Sequence, residues 1–83
     1  MKRIRLSDQA KADIRDIPQP VAMNILVAIH RLAESGSGNV KKLQGIDPPE
    51  FRLRVGDHRV FFFEEPAGTM QIRAVKNRKD AYR

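Results

Sequence analysis

Cysteine is absent from this 83-residue sequence, and histidine occurs only twice. Without cysteine there is no disulfide and no thiolate ligand for a metal, so a chain of this length must fold around one modest hydrophobic core. His30 and His58 alone do not make a histidine-based zinc site. The sequence therefore predicts neither a metal nor any other cofactor.

Long apolar runs are also missing. The beginning, MKRIRLSDQAK, is charged from residue 2 and lacks the apolar segment of a signal peptide. The longest apolar run is a few residues, far short of a membrane span. We expect a cytoplasmic protein without a membrane partner. The composition, 41% hydrophobic and 31% charged, is typical of a globular chain, and we expect one domain over residues 1–83.

Positive charge is in excess. Sixteen Lys and Arg residues oppose ten Asp and Glu residues, which gives a formal net charge of +6. In a small domain this balance favours a polyanionic partner, such as nucleic acid, an acidic protein segment or a membrane surface. The alternative is a basic surface that only keeps the protein soluble.

The first half of the chain is predicted to be mainly helical. Residues 2–6 alternate polar and apolar side chains, as a short strand does, and Ser7 is a suitable N-cap. Helices are predicted over residues 8–16 and 19–35, the second ending at the glycines that begin with Gly36. The apolar positions of the longer helix are expected to face the core: Val21, Ile25, Ala28, Ile29 and Leu32.

The second half is predicted to be a β-meander. Alternation predicts strands over residues 50–55, 58–63 and 69–76, followed by a polar tail at 77–83. The fold prediction is therefore α+β in the order β-α-α-β-β-β, with two helices on one face of a mainly antiparallel four-stranded sheet.

A two-residue turn at Gly56-Asp57 sets the register of the first hairpin. Residues directly opposed across this hairpin lie on the same face of the sheet. One face then carries the apolar set Phe51, Leu53, Val55, Val60 and Phe62, which is expected to meet the helices. The other face carries Arg52, Arg54, Arg59, Phe61 and Phe63.

Three arginines on one patch of sheet are unfavourable for stability. Like charges opposed across a ladder repel by a few tenths to about 1 kcal/mol per pair. Asp57 and Glu64 flank the patch, but no acidic residue is expected within it. An anionic ligand is one explanation, because the planar guanidinium donates two parallel hydrogen bonds to phosphate. A solvated sheet face is the other.

Residues around the arginines fit either explanation. Phe61 and Phe63 could stack on unpaired bases, or could pack beneath the C-terminal tail. Lys41 and Lys42 extend the basic region, or are ordinary surface lysines.

These segments together resemble the RelE/ParE toxin superfamily of type II toxin–antitoxin systems. The similar elements are Lys42-Leu-Gln-Gly45, the hairpin Phe51-Arg-Leu-Arg-Val-Gly-Asp-His-Arg-Val60, and the ending Arg78-Lys-Asp-Ala-Tyr-Arg83. The resemblance extends over the whole chain, and its tail favours the RelE-like branch. It implies a cognate antitoxin, possible hetero-oligomers with that antitoxin, and metal-independent cleavage of mRNA on the ribosome.

The resemblance also implies residue roles. The residues matching the catalytic positions are Arg52, Arg54, Arg59, Arg78 and Tyr82, and further RNA contacts are expected from Lys41, Lys42, Phe61, Lys79 and Arg83. Arginines would stabilise the charge that develops on the phosphate during attack by the 2′-hydroxyl. Arginine is a poor general base, and the proton acceptor is left open among Glu50, His58 and Tyr82. A DNA gyrase inhibitor and a catalytically inactive antitoxin-binding protein remain the alternative functions.

Overall fold

The computed structural model describes residues 2–45 and 47–79. The elements of this part are β1 (Arg3–Leu6), α1 (Asp8–Arg15), α2 (Gln19–Ser35), β2 (Asn39–Lys42), β3 (Glu50–Val55), β4 (His58–Glu64) and β5 (Thr69–Asn77). The predicted α+β class is confirmed, and the predicted helices and strands lie within one residue of the observed ones. No helix among the described residues is long and apolar enough to cross a membrane.

The sheet has five strands, so the prediction of four was wrong. The strand order is β1-β5-β4-β3-β2, with β1 parallel to β5 and the other neighbours antiparallel. The additional strand is β2, which pairs with β3 through Val40 opposite Leu53 and Lys41 opposite Arg52. This strand has four exposed residues and a single apolar one, so it lacks the alternation by which a strand is recognised from sequence.

Both helices pack on the same face of the sheet and form one core with it. The helices contribute Ala10, Ile25, Ile29 and Ala33, and the strands contribute Leu53, Val60, Phe62, Met70, Ile72 and Val75. Ala28 and Leu32 pack against this cluster, as predicted. Val21 does not, because the buried stripe of α2 begins at Ala22 and leaves Val21 at the exposed rim. We call the sheet face that bears no helix the outer sheet face.

Ser7 fastens the junction of β1 and α1 to strand β5. Its hydroxyl oxygen accepts a hydrogen bond from the N–H of Ala10 at 3.0 Å, which caps α1. The same hydroxyl donates to the carbonyl of Arg73 at 2.6 Å, and the Ser7 N–H donates to the carbonyl of Ile72 at 2.9 Å. Ser7 therefore sets the position of α1 relative to the sheet, because it bonds both to the first turn of α1 and to strand β5.

Strand β5 contains a bulge beside this junction. Phe61 pairs with Ala74 and Phe62 with Ile72, so Arg73 is an extra residue without a direct partner on β4. Strand β1 ends opposite Ile72, and the Val75 N–H beyond that point donates to a carboxylate oxygen of Asp13 at 2.9 Å. Helix α1 thus supplies the acceptor that a neighbouring strand would otherwise provide.

Candidate nucleic-acid interface

The predicted hairpin register is confirmed. Val55 lies opposite His58, Arg54 opposite Arg59 and Arg52 opposite Phe61. Arg52, Arg54, Arg59 and Phe61 therefore share the outer sheet face, while Leu53 and Val60 lie on the core face. The neighbouring strands extend this arrangement to both edges of the sheet.

The outer sheet face is strongly basic. Side-chain alternation and register place these basic residues on it: Arg3, Arg5, Lys41, Arg52, Arg54, Arg59, Arg73 and Lys76. Among the described strand residues, Glu50 is the one acidic residue on this face. Arg3, Arg5, Arg73 and Lys76 were missed by the sequence analysis. Their strands were recognised, but the sheet neighbours of β1 and β5 were not.

Arg54 and Lys41 are the accessible cations of the β2–β3 side. Both are exposed, and neither forms an ion pair with a residue of the described part of the chain. Arg52 lies opposite Lys41 and two residues before Arg54 on β3, and it is half-buried. Arg54 stands directly opposite Arg59, so the like-charge pair expected from the turn is present.

Arg59 differs from the open arginine that the sequence suggested. Its residue exposure is only 5%. One terminal nitrogen, Nη1, donates to the carbonyl of Gly56 at 2.9 Å and to the carbonyl of His58 at 3.0 Å. These carbonyls belong to the turn, because the side chain folds back along its own hairpin. Arg59 therefore stabilises the turn that fixes the register, and contributes positive potential from beneath the surface.

Glu50 and Arg73 form an ion pair across the middle of the outer sheet face. Arg73 Nε donates to Glu50 Oε2 at 2.7 Å, and Nη2 donates to Oε1 at 2.9 Å. The Glu50 side chain is 6% exposed and that of Arg73 45% exposed. Hydrogen bonding to Glu50 raises the pKa of the Arg73 guanidinium, so Arg73 remains charged. The sequence made Glu50 a candidate base, and its pairing with Arg73 was not predicted.

Phe61 lies beneath that ion pair. The Arg73 Cζ atom is over the Phe61 ring, 5.3 Å from its centroid, and Phe61 is 7% exposed. A cation over an aromatic ring is an attractive arrangement. Because the ring is covered in this way, Phe61 supports a residue of the outer sheet face and does not itself present a stacking surface.

The other predicted site residues occupy different places. Lys42 lies opposite Phe51 and so belongs to the helix-bearing side of the sheet, at its edge. Arg78 and Lys79 are exposed and follow β5, where the Arg78 N–H donates to the carbonyl of Asp57 at 2.7 Å. This contact brings the start of the tail to the hairpin turn. Tyr82 and Arg83 lie outside the described residues.

Two of the candidate proton acceptors, Glu50 and His58, are poorly placed to act as a base on the outer sheet face. Both carboxylate oxygens of Glu50 accept hydrogen bonds from Arg73. His58 lies opposite Val55 and Asn77, so register places it on the helix-bearing side. The chemistry that the described residues of the outer sheet face offer is therefore anion binding and charge stabilisation.

An α+β domain with two helices behind the sheet and a basic outer sheet face has the architecture expected for a RelE/ParE toxin. A family model described as the ParE toxin of the type II toxin–antitoxin system parDE matches residues 4–82. The chain belongs to this family and is a toxin of the RelE/ParE superfamily. No functionally curated protein matches the sequence closely enough to count as a relative.

Solved structures show the same fold. One chain of the RelB–RelE antitoxin–toxin complex from Methanococcus jannaschii superimposes with a TM-score of 0.76 at 23% identity, covering 93% of both chains. The RelE–RelB complex from Pyrococcus horikoshii OT3 gives 0.78 at 22% identity, covering 96% of this chain and 98% of the other. The RelBE2 toxin–antitoxin complex from Mycobacterium tuberculosis gives 0.77 at 19% identity, covering 92% and 96%.

Proposed function

We propose that this toxin binds single-stranded mRNA on its outer sheet face and cleaves it on the ribosome, so that translation stops. The observation that carries the proposal is the charge of that face. Basic residues from every strand lie on it, and its one carboxylate among the described strand residues is already bound to Arg73. Neutralising phosphates with Arg and Lys is the main source of affinity for nucleic acid.

Arg54 and Arg52 are the proposed phosphate ligands. The guanidinium groups would hold the scissile phosphate and stabilise the additional negative charge of the transition state. The 2′-oxygen forms a bond to phosphorus while the bond from phosphorus to the 5′-oxygen breaks. The products are a 2′,3′-cyclic phosphate and a 5′-hydroxyl, with one proton leaving the 2′-oxygen and one joining the 5′-oxygen.

Proton transfer in this scheme does not require an arginine to lose its proton. Water within the ribosome-bound complex accepts the proton of the 2′-hydroxyl, and a second water donates a proton to the leaving 5′-oxygen. Arg78, whose N–H bonds to the carbonyl of Asp57 at the hairpin turn, would donate a hydrogen bond to that oxygen and remain charged. Positioning and charge stabilisation then supply most of the rate, with the ribosome holding the RNA in place.

A cognate antitoxin is the proposed protein partner. The similar structures are described as toxin–antitoxin complexes, and the family is defined by such systems. An acidic antitoxin segment would meet the same arginines that hold RNA, so antitoxin and RNA would compete for the outer sheet face. Bound antitoxin and toxin would form a hetero-oligomer.

The test is inducible expression without the antitoxin, followed by primer extension across a reporter message. The wild-type toxin is expected to arrest growth and to produce cuts within codons. Arg52→Met combined with Arg54→Met should abolish both effects, while Arg31→Met on the exposed side of α2 should abolish neither. Growth arrest with intact messages, or cuts that survive the double substitution, would contradict the proposal.

DNA gyrase inhibition is a second candidate, because the matching family model is that of ParE toxins. In that case the outer sheet face would bind a protein and no RNA chemistry would be needed. The same induction experiment separates the two: DNA breaks and an SOS response with intact mRNA favour gyrase. Normal growth would instead indicate an inactive protein that only binds antitoxin.

A further inference from the structure

The Arg73 side chain is held on the outer sheet face by contacts with two other residues of that face. Arg73 occupies the bulge of β5 and reaches across β4 to Glu50 on β3. Two nitrogens are fixed by the carboxylate at 2.7 and 2.9 Å, and Cζ lies over the Phe61 ring. Such a side chain has already lost most of its rotamer freedom, so binding a ligand to it costs little further side-chain entropy.

The contacts of Arg73 leave one side of the guanidinium open. Phe61 covers the side toward the sheet and is 7% exposed, whereas the Arg73 side chain remains 45% exposed. Glu50 occupies one edge of the guanidinium plane. The plane is thus supported from below, fixed at an edge and accessible from above, in the centre of a basic surface.

We propose that Arg73 is a stacking platform for one unpaired RNA base, held in position by Glu50 and Phe61. The inference rests on RNA binding at the outer sheet face, as proposed above. Unpaired bases stack on guanidinium planes as they do on aromatic rings, and this contact accepts any base. Arg73 would therefore orient the RNA beside the phosphate-binding Arg52 and Arg54 without reading its sequence.

Base stacking fits these contacts better than phosphate binding. The charge of Arg73 is compensated by a carboxylate in direct contact, and the paired edge is no longer available for a bidentate phosphate contact. Arg54 on the same face is exposed and makes no ion pair with a described residue, so it is the better phosphate ligand. The two arginines thus have different chemical roles.

The test measures binding of the full-length protein to a short single-stranded RNA in which every ribose carries a 2′-O-methyl group, so that cleavage cannot occur. A series of RNAs lacks the base at one position each. For the wild type, one abasic position is expected to weaken binding roughly tenfold. Arg73→Lys, which keeps the charge but removes the plane, should lose a similar factor and become insensitive to that abasic position.

Two further variants complete the design. Arg31→Lys on α2 makes the same chemical change away from the sheet and should bind like the wild type at every position. Glu50→Gln keeps Arg73 but weakens the hydrogen bonds that hold its guanidinium, so the loss of affinity at the abasic position should be smaller than in the wild type. Unfolding curves for each variant identify any loss of affinity that comes from loss of folded protein.

Three results would overturn the inference. If Arg73→Lys retains the wild-type abasic penalty, another residue stacks the base. A second result is that no abasic position weakens wild-type binding, whereas Arg73→Met makes the salt dependence of the association constant shallower by about the amount expected for one phosphate contact. Arg73 would then bind phosphate instead of a base. If Arg52→Met with Arg54→Met also leaves binding unchanged, or the wild type binds no RNA, the proposed function itself fails.

Discussion

At the scale of single residues, the arginines of the outer sheet face have three different environments. Arg54 is exposed, Arg59 is buried and bonded to turn carbonyls, and Arg73 is paired with Glu50. Sequence alternation places Arg54 and Arg59 on the same face but says nothing about their exposure. The same residue type therefore serves recognition at one position and structure at another.

Arg59 and Arg54 are expected to differ in their contribution to stability. Arg59→Met should lower the free energy of unfolding by about 1–3 kcal/mol, because the turn carbonyls lose a charged donor. Arg54→Met should change it by less than about 0.5 kcal/mol, and relief of the repulsion from Arg59 could raise it slightly. Urea denaturation of both variants measures the difference, and equal losses would contradict the assignment of a structural role to Arg59.

The Glu50–Arg73 pair should show a characteristic order of stabilities. Arg73→Met leaves a carboxylate buried without its partner, which is costlier than losing both charges. The variant with both Arg73→Met and Glu50→Gln should therefore be more stable than Arg73→Met alone. Denaturation at neutral pH tests this order, and the opposite order would mean that Glu50 is satisfied without Arg73.

At the scale of elements, the bulge of β5 and helix α1 depend on each other. The bulge places Arg73 beyond the regular ladder, and Asp13 accepts the N–H of Val75 where β1 has ended. Asp13 also accepts a hydrogen bond from the Gln9 side chain at 2.7 Å. A residue of α1 thus supports the strand that carries Arg73 to the other side of the sheet.

Loss of the Asp13 carboxylate should weaken this support. Asp13→Ala is expected to lower the free energy of unfolding by about 1–3 kcal/mol and to increase amide exchange at Val75, because that N–H loses its acceptor. Asp16→Ala, at the exposed C-cap of α1, removes a nearby carboxylate without removing a strand contact. Similar amide exchange at Val75 in both variants would contradict the role of Asp13.

At the scale of the whole molecule, charge is separated from the apolar core by the sheet. The helices cover one face with Ala10, Ile25, Ile29 and Ala33, and basic side chains from all strands occupy the other. A net charge of +6 concentrated in this way attracts a polyanion from a distance and orients its approach. Fold and charge distribution together define the proposed RNA-binding surface.

RNA affinity should therefore depend strongly on salt. A plot of the logarithm of the association constant against the logarithm of salt concentration should have a slope of about −3.5 for single-stranded RNA that makes about five phosphate contacts. Arg54→Glu should make the slope shallower, whereas Arg31→Glu on α2 should leave the slope close to that of the wild type. Titrations at several salt concentrations measure this, and equal slopes for both variants would exclude a localised interface.

Local sequence patterns were enough to predict the helices, the hairpin and the common face of Arg52, Arg54 and Arg59, because capping, periodicity and a two-residue turn act between neighbours in the chain. The sequence also indicated the toxin superfamily. Three features became visible only in the folded protein: β2 joins the sheet, Arg59 is buried, and Arg73 contacts Glu50, 23 residues away. These features depend on which strands lie side by side and on a bulge in one of them, and no local pattern encodes such pairings.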